Sequence, residues 1–371
     1  MKSNDRMWLT MEDALLSVVV PVYNMEKYVS TCIDALLNQT YRSFQIILVD
    51  DCSEDASLSI LREYKKNNSD KILLIESETN IGLGGARNLG IRSSKSEYIG
   101  FVDPDDLIYP TMYEELMSLA VKERLDIVFC GYETVHESAT LKEVASRKKK
   151  YSENLEVQYW NTIPDDIRMS IMSSSKYGTV WSGVYKRELI ESNNLFFPEN
   201  LIYEDCFWSY AIILEARSIG IVKEPLYFYR QRNESLSNKR NTRQHYDRIE
   251  IGKKLYGYVK DKGYLSRYHL IVEFLFITVF TLNTYLIVLG LMDKPDVDKL
   301  NQIRLFLKNN FPKWKRNSLF HAKRSIIQRV IMTIIMIFPA EVHLRFMLIW
   351  KIAHRVASPC YQTILFRNHR L

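Results

Sequence analysis

Residues 97–106 read EYIGFVDPDD, a strand-like apolar segment that runs directly into a cluster of three aspartates. In open α/β sheets ligands bind at the carboxyl ends of the strands, where Asp103, Asp105 and Asp106 would lie. Carboxylates this close repel one another unless they are paired, protonated or bound to a cation. Their oxygen ligands suit Mg²⁺ or Mn²⁺ carrying a phosphate, whereas Pro104 makes an acidic turn the alternative. The segment alone leaves both interpretations open.

Strand-like and helix-like segments alternate on both sides of this segment, a pattern typical of βα units around a parallel sheet. We predict an α/β fold with a mostly parallel sheet, in which Asn24 and Ser53 could each cap a helix. A polar, basic stretch, 137–152, is interpreted as a surface insertion. The predicted strands are 16–22, 45–49, 71–75, 97–102, 126–131 and 219–229, and the predicted helices between them include 28–37, 58–64, a glycine-rich turn with a helix to 91, and 112–122.

A second pair of acids, Asp50 and Asp51, also follows a predicted strand, so two acidic strand ends would lie along one edge of the sheet. A glycine-rich turn, 82–85, precedes Arg87 and would place its guanidinium near the same edge. Arg87 occupies the third glycine position of a G-x-G-x-x-G motif, and the sequence has no G-x-x-x-x-G-K-[ST] loop. These features exclude the common dinucleotide-dependent dehydrogenases and P-loop NTPases.

The composition is that of a folded protein. The chain has 371 residues, of which 47% are hydrophobic, enough for one large domain or two ordinary ones. Its five cysteines are scattered without a C-x-x-C pair, which argues against a zinc site or a disulfide framework and favours a reducing compartment. The first 13 residues are polar and carry acids, so no secretory signal is recognised there. We therefore expect a cytoplasmic protein.

Basic charge is concentrated near the C-terminal end. Residues 311–371 contain eleven Lys and Arg against one acid, Glu341, a balance of +10, while the remaining 310 residues carry −4 of the net +6. This asymmetry indicates an anionic partner, either a membrane surface or a nucleic acid. The long apolar stripes of the same region make a soluble nucleic-acid-binding arm the less favoured interpretation.

From about residue 245 the sequence changes to long helical periodicity, so we predict two domains, 1–240 and 241–371. The apolar run 274–289 would extend about 24 Å as a helix, short of the roughly 30 Å hydrocarbon core, and a transmembrane helix is not favoured there. Segment 326–338 would present one apolar helical stripe with basic residues beside it. Such a helix suits a membrane surface, and packing in a bundle or a homo-oligomer is the alternative.

Five segments occur in a recognisable order: SVVVPVYN (17–24), LVDDCS (48–53), NIGLGGARNLGI (80–91), FVDPDD (101–106) and YEDCFW (203–208). Together they resemble the signature of glycosyltransferase family 2, whose members have the GT-A fold. The resemblance covers residues 15–240 and not the C-terminal third. It implies inverting transfer of a sugar from a nucleotide-sugar, usually a uridine diphosphate sugar, to an acceptor hydroxyl.

The resemblance also implies roles on the donor side. Asp103 and Asp105 would be the D-x-D carboxylates that hold Mn²⁺ or Mg²⁺ against the leaving diphosphate, with Asp103 close to the ribose or the metal. Arg87 would contact the diphosphate or the base, or would pair structurally with an aspartate. Asp51 would accept a hydrogen bond from the nucleotide base. The other implied donor contacts are Pro21, Val22, Tyr23, Arg230 and Arg232.

Arg230 and Arg232 belong to YRQRNESLS (229–237), which resembles the loop that closes GT-A domains over the diphosphate. Ser235 and Ser237 lie in the same loop. Many relatives have a histidine there, and this chain has none. The loop would therefore contact phosphate through arginine, or would assist the metal without that histidine.

On the acceptor side, the resemblance places the general base at Asp205, beside Glu204. Adjacent carboxylates near an aromatic wall can have raised and separated pKa values, which suits a base, while a helix N-terminus is the compatible structural interpretation. Trp181 resembles a family residue near the acceptor and could stack on a sugar ring, with a core tryptophan as the equal alternative.

We expect a bacterial enzyme at the inner face of the cell membrane that glycosylates a lipid-linked saccharide during synthesis of a surface polysaccharide. Two alternatives are a catalytically silent scaffold of the same fold and a nucleotidyltransferase. Intact Asp103, Asp105 and Asp205 argue against the scaffold. A nucleotidyltransferase should have a glycine-rich, basic signature near the first strand, and PVYNMEKY (21–28) lacks one.

Overall fold

The structure is a computed structural model, and it describes residues 14–146, 156–174, 178–232, 239–343 and 345. The chain divides into two compact units. The first unit comprises the described residues up to Arg232 apart from 169–174, and the second comprises 169–174 and the described residues from 239 onward. The predicted division into domains at residue 240 stays a prediction.

A nine-stranded sheet organises the first unit. Its strands are β1 Leu16–Val22, β2 Phe44–Asp50, β3 Ile72–Glu76, β4 Tyr98–Phe101, β5 Leu107–Ile108, β6 Ile127–Val135, β7 Val157–Trp160, β8 Gly183–Lys186 and β9 Ile219–Arg230. Their order is β3-β2-β1-β4-β8-β6-β9-β5, with β7 paired to β9. The first four strands in this order are parallel, and so are β6 and β9. Strands β8, β5 and β7 run antiparallel to their partners.

The predicted α/β fold is confirmed, and all six predicted strands form. The sheet is mixed, however, because β8 enters it antiparallel between β4 and β6. Only four residues long, β8 is held by ladders on both sides, so its strand conformation comes from its neighbours and not from a local pattern. The predicted parallel arrangement therefore describes β1 to β4, the half of the sheet that carries both acidic strand ends, and the β6–β9 pair.

Among the described residues, eight helices connect these strands: α1 Val29–Leu37, α2 Ser57–Asn67, α3 Gly82–Ser93, α4 Met112–Glu123, α5 Leu141–Ser146, α6 Asp165–Met172, α7 Arg187–Ser192 and α8 Glu204–Glu215. The predicted caps of the first two were wrong. Helix α1 starts after Tyr28 and α2 after Ala56, neither with a capping side chain. The side chains of Asn24 and Ser53 instead accept hydrogen bonds from each other's loops.

Every residue of β1 and β2 is buried, as expected for parallel strands covered by helices on both faces. Helix α3 approaches β1 closely because Gly90 has no side chain: a Cβ there would lie 2.9 Å from Val19 Cγ2 and closer still to Cγ1. The predicted surface insertion 137–152 is described only to residue 146, and its helix α5 buries Val144 in the hydrophobic core. The described part, 137–146, lies mostly at the surface, and Val144 anchors it to the core.

The second unit is helical, as predicted for this region. Its helices are α9 Asp247–Asp261, α10 Tyr264–Arg267, α11 His269–Leu275, α12 Asn283–Leu291, α13 Val297–Asn310, α14 Ser318–Lys323 and α15 Ile326–Ile337, with a π-helical segment Phe276–Leu282 joining α11 to α12. The joined helix His269–Leu291 has 23 residues and is the one helix in the described part of the chain that is long and apolar enough to cross a membrane. Since 78% of its apolar stretch is buried within the fold, a core helix accounts for it equally well.

Candidate functional site

The loops after β1 and β2 are bound to each other at the carboxyl edge of the sheet. Segments 24–26 and 53–57 exchange five hydrogen bonds, in each of which a side-chain oxygen of one loop accepts from a backbone N–H of the other. The donor and acceptor pairs are Asn24 N to Ser53 Oγ (3.1 Å), Met25 N to Ser57 Oγ (2.7 Å), Glu26 N to Asp55 Oδ2 (3.0 Å), Glu54 N to Asn24 Oδ1 (2.8 Å) and Ala56 N to Glu26 Oε2 (3.0 Å). The two strand ends therefore form one continuous platform.

The three residues predicted to flank the donor at the end of β1 differ in what they expose. Pro21 and Val22 are buried in the sheet, and the carbonyl of Val22 accepts the N–H of Asp51 at 2.8 Å. Tyr23, directly after the strand, is 41% exposed. Of the three, Tyr23 alone presents a side chain that a ligand could contact.

Asp51 is buried at the end of β2 and bonds to the start of α3. Its Oδ1 accepts the backbone N–H of Ile81 at 2.7 Å. Burial raises the pKa of Asp51, and the N–H groups of Ile81 and Gly82 offset part of that rise. The neighbouring Asp50 bonds Ser53 N–H through Oδ2 at 3.1 Å, and its buried Oδ1 has no hydrogen-bond partner among the described residues. Asp50 is thus a structural neighbour and Asp51 the link to α3.

Arg87 connects the two acidic motifs of the site. Its guanidinium bonds Asp103 Oδ1 through Nη2 at 2.8 Å and Glu204 Oε1 through Nη1. The guanidinium also lies over the ring of Phe197. Arg87 and Glu204 are each only 2% exposed. The structural pairing weighed for Arg87 is therefore formed, and it joins residues 117 positions apart in sequence. We call this arrangement the Arg87 bridge.

Within the Arg87 bridge, burial and the charge of the bonded partner shift the pKa of each group in opposite directions. Burial raises the pKa of Glu204 to about 7, with Arg87 lowering it and the adjacent Asp205 raising it. Burial would lower the pKa of Arg87, but Asp103, Glu204 and Asp205 together raise it above its ordinary value. The guanidinium therefore stays charged, while the pKa of Glu204 lies near neutral pH.

The second D-x-D carboxylate is paired with arginine as well. Asp105 Oδ2 accepts Arg232 Nε at 2.5 Å, and its carbonyl accepts Arg230 Nε at 2.6 Å. Burial raises the pKa of Asp105, the charge of Asp103 raises it further, and Arg232 opposes both. Both predicted loop arginines therefore reach the D-x-D segment. Ser235 and Ser237, from the same predicted loop, lie outside the described residues.

Asp106 has the contacts of a structural residue. It is buried, with Oδ2 accepting the Tyr227 hydroxyl at 2.6 Å and Oδ1 accepting the Arg230 N–H at 2.7 Å. The Tyr227 oxygen in turn accepts the N–H of Asp103 at 3.2 Å. These bonds fix the turn of the D-x-D segment against β9 and so aim Asp103 and Asp105.

The carboxylates of the D-x-D segment could bind a small divalent cation such as Mg²⁺ or Mn²⁺ if a substrate phosphate completes the coordination shell. The described residues contain no group of three His, Cys, Asp or Glu side chains that could enclose a metal ion. Mg²⁺ usually takes one or two carboxylates and completes its shell with water and substrate phosphates. Asp103 and Asp105 can supply those two carboxylates, so the residues fit a cation that is shared with a diphosphate.

Asp205 lies in the first turn of α8, with its side chain partly exposed. Its Oδ1 accepts the N–H of Cys206 at 2.9 Å. Tyr203, which precedes the helix, has a left-handed backbone with φ of 67°, so the chain turns sharply into α8. Glu204 consequently points into the protein towards Arg87, while Asp205 remains accessible.

Trp181 packs within a group of tyrosines and is partly buried. Its ring stacks on Tyr227 at a centroid distance of 4.3 Å and on Tyr229 at 5.9 Å, and it meets Tyr132 edge-on at 4.9 Å. Because Tyr227 also bonds Asp106, this aromatic group adjoins the D-x-D segment. Trp181 has the contacts of a core residue and an accessible part as well, which leaves the acceptor role a prediction.

Two residues of the site, Tyr28 and Glu137, carry no signal in the sequence. The Tyr28 hydroxyl donates to Glu137 Oε1, and the guanidinium carbons of Arg230 and Arg232 lie 5.6 and 5.1 Å from the centre of the Tyr28 ring. Arg230 also donates to the Glu137 carbonyl. The spacing of Tyr28 fits the apolar side of a helix, and its contacts lie over 100 residues away. No local pattern could therefore have revealed them.

The chain is similar in sequence to known glycosyltransferases. The sequence profile described as Glycosyl transferase family 2 matches residues 17–181. YibD of Escherichia coli K12, an uncharacterized glycosyltransferase, is 33% identical over 243 residues, which cover 63% of this chain and 68% of YibD. EpsJ of Bacillus subtilis 168, also an uncharacterized glycosyltransferase, is 35% identical over 60% of this chain, and this chain spans 63% of its length.

A solved structure has the same fold. TarS residues 1–349 of S. aureus, crystallised in complex with UDP-GlcNAc, align with a TM-score of 0.52 at 20% identity, covering 85% of this chain and 77% of that chain. The fold is that of a GT-A glycosyltransferase. The chain belongs to glycosyltransferase family 2. The resemblance of the five ordered segments is thereby confirmed.

Proposed function

We propose that this chain is an inverting glycosyltransferase that moves a sugar from a nucleotide-sugar, specifically a UDP-sugar, to an acceptor hydroxyl. The observation that carries the proposal is the Arg87 bridge, which joins Asp103 of the D-x-D segment to Glu204, the neighbour of Asp205. A donor-side acid and an acceptor-side acid are thus held in one rigid arrangement. Transfer between two bound substrates depends on such fixed relative positions.

Asp205 is the general base in this proposal. Its carboxylate takes the proton of the acceptor hydroxyl while the hydroxyl oxygen bonds to the anomeric carbon. The bond from that carbon to the diphosphate oxygen breaks, and its electron pair leaves with the nucleoside diphosphate. Attack and departure occur on opposite faces of the sugar, so the configuration inverts. Glu204 and Arg87 hold the start of α8 in place for this step.

The diphosphate gains negative charge as it leaves. A metal ion held by two aspartates and two arginine side chains of this chain would face it. Asp103 and Asp105 would hold Mn²⁺ or Mg²⁺, which supplies Lewis-acid stabilisation of that charge when bound. Arg232, now on Asp105, and Arg230, beside it, are the chain's own cations for the same purpose. Tyr28 lies against both guanidiniums and limits their orientation.

For the nucleoside, we propose contacts to Asp51 and Tyr23, with Pro21 and Val22 contributing their backbone at the platform edge. The choice of uridine is supported by TarS, whose residues 1–349 have been crystallised with UDP and with UDP-GlcNAc. Arg87, which was weighed as a donor contact, is assigned to the bridge instead, since both of its described partners are carboxylates of this chain.

For the acceptor, we propose a lipid-linked saccharide used in surface polysaccharide synthesis, with Trp181 as its stacking surface. The enzyme would work in the cytoplasm, peripherally bound at the inner face of the cell membrane. The +10 balance of residues 311–371 supports this location, because anionic lipid attracts basic segments. Association of the second unit with another copy of itself remains the alternative use of that region.

The test is a screen of nucleotide-sugars for release of nucleoside diphosphate with Mn²⁺ or Mg²⁺ present. We expect turnover with one UDP-sugar, loss of metal dependence together with most of the activity in Asp105→Ala, and about 10²–10⁴-fold slower transfer to acceptor in Asp205→Asn. Asp70→Asn, an exposed acid of the same unit, is the matched control and should behave like the parent.

Each result separates one part of the proposal from the others. Parent-like turnover by Asp105→Ala would remove the metal assignment, and unchanged transfer by Asp205→Asn would remove the base. A protein that binds UDP-sugar without turning it over would be the silent scaffold. Release of pyrophosphate from a nucleoside triphosphate and a sugar phosphate would identify a nucleotidyltransferase.

A further inference from the structure

Helix α15 is a well-defined helix that leaves an apolar side uncovered. Ser325 and Gln328 form a capping box at its start, with Gln328 N–H donating to Ser325 Oγ at 3.2 Å. The side that faces the fold buries Met332 and Ile335. The opposite side, which we call the apolar face of α15, exposes Ile326, Ile327, Val330, Ile334 and Ile337, with Ile326 and Ile327 at 69% and 71%.

The surroundings of this face are basic. Between residues 313 and 340 the sequence contains no Asp or Glu, and Lys313, Lys315, Arg316 and Lys323 are exposed. Arg329 and His321 line a shallow groove together with apolar residues of the face, and Arg329 Nη1 lies 3.4 Å from His321 Nδ1. The buried Nε of Arg329 has no hydrogen-bond partner among the described residues. Arg329 therefore adds positive charge beside the apolar groove.

We infer that the apolar face of α15 binds flat on a bilayer that contains anionic lipid. This inference deepens the membrane association proposed above and rests on it. Twelve residues extend about 18 Å as a helix, too short for a hydrocarbon core of about 30 Å, so the helix lies in the plane of the interface. Its isoleucines enter the acyl boundary, and the basic side chains meet lipid phosphates.

Charge complementarity selects the bilayer over a second copy of the chain. A twofold interface would bring the same face of each copy together and so place Lys315, Lys323 and Arg329 of one copy near those of the other. No acid between 313 and 340 would balance them. An anionic lipid surface neutralises the same charges, each with a favourable contribution near the membrane.

The experiment uses the full chain and sedimentation with vesicles of phosphatidylcholine alone or mixed with phosphatidylglycerol. The parent should bind the mixed vesicles, less so at high salt. Ile326→Ser combined with Ile327→Ser should weaken this binding about tenfold or more, because two isoleucines leave the acyl boundary. Leu305→Ser, which removes an apolar side chain 46% exposed on α13, is the matched control and should bind like the parent.

Further variants separate apolar area from charge. Ile326→Leu with Ile327→Leu should retain binding, and Lys315→Gln with Lys323→Gln should reduce the preference for phosphatidylglycerol, whereas Lys308→Gln on α13 should not. Release of nucleoside diphosphate from a soluble donor should be unchanged in all of them, so failure of the donor chemistry and failure of membrane docking are distinguishable. Vesicle binding of the double serine variant equal to the parent, or a parent dimer that this variant dissociates, would overturn the inference.

Discussion

Buried charge in the first unit and exposed apolar surface in the second are opposite departures from the usual distribution of side chains. Around the sheet edge, Arg87, Glu204, Asp106 and Arg230 are all buried. On α15, isoleucines are left in solvent while the helix behind them packs normally. Desolvating a charge is unfavourable unless the charge is paired within the protein, whereas a contiguous exposed apolar surface marks an interaction site.

The two regions differ in whether these groups have partners within the protein. In the first unit the buried charges of the site have partners inside the protein: Arg87 bonds two acids, and Asp106 bonds a hydroxyl and an N–H. In the second unit the partner of the isoleucines is not supplied by the described residues of that unit. The buried charges of the first unit are therefore paired within the protein, whereas the exposed isoleucines of the second unit have no partner among the described residues.

The largest effect on stability should come from breaking the Arg87 bridge. Arg87→Met leaves Asp103 and Glu204 without their shared cation and should lower the free energy of unfolding by about 3–5 kcal/mol, measured by denaturant titration. Arg92→Met is the control from the same helix: its side chain is 54% exposed and 3.8 Å from Glu199, so about 0–1 kcal/mol is expected. Equal losses in the two variants would mean that the bridge is not the stabilising contact.

Two isoleucines on opposite sides of α15 test whether its exposed side contributes to folding. Ile335→Ala removes a buried side chain and should destabilise the protein by about 2–5 kcal/mol. Ile327→Ala removes an exposed one and should change stability by less than about 0.5 kcal/mol. A large loss of stability for Ile327→Ala in thermal or chemical denaturation would mean that this side chain packs within the fold. The apolar face of α15 would then not be an exposed surface.

The titration of Glu204 should make stability depend on pH. Its pKa is about 7 in the fold against an ordinary 4.5, so between these values the native state holds a proton that the unfolded chain has lost. The free energy of unfolding should therefore fall, by a few kcal/mol at most, as pH rises from about 4.5 to about 7. Glu204→Gln cannot titrate, and its stability should be flatter over this range. Parallel pH curves for parent and variant would contradict the assignment.

A pair of glycines compares how tightly helices pack in the two units. Gly90→Ala places a Cβ 2.9 Å from Val19 Cγ2, and closer to Cγ1, and should cost about 1–3 kcal/mol of stability. Gly257 in α9 adjoins open space, because a Cβ added there would meet no atom within 4 Å. Gly257→Ala should therefore stabilise the protein by about 0.4–1 kcal/mol. A neutral Gly90→Ala in thermal denaturation would show that α3 can move away from β1.

Sequence alone predicted those parts of the fold that local chemistry determines. Strand β1 was predicted with its observed bounds, Leu16–Val22, because its mostly apolar sequence LSVVVPV suits a strand that is buried on both faces. Strand β8 was missed because its conformation depends on β4 and β6. The caps assigned to Asn24 and Ser53 failed for a related reason: both side chains bond to N–H groups of another loop.

Some residues of the candidate site could also be recognised from local sequence, whereas others could not. The D-x-D acids and Asp51 could be recognised because they follow strands whose ends share one edge. The partner of Arg87 across 117 residues, and the contacts of Tyr28 to Glu137, follow from tertiary packing and leave no trace in local spacing. A sequence pattern can therefore name which acids lie at the edge, but it does not determine which of them are neutralised within the protein.

The bonded loops after β1 and β2 have a further consequence for ligand affinity. Their five cross-loop hydrogen bonds restrict the backbone around Tyr23 and Asp51 before any ligand arrives. The conformational entropy of these loops is thus lost during folding and not during binding. If a nucleoside binds here as proposed, it would not have to order these loops, and more of the contact energy would be retained as affinity.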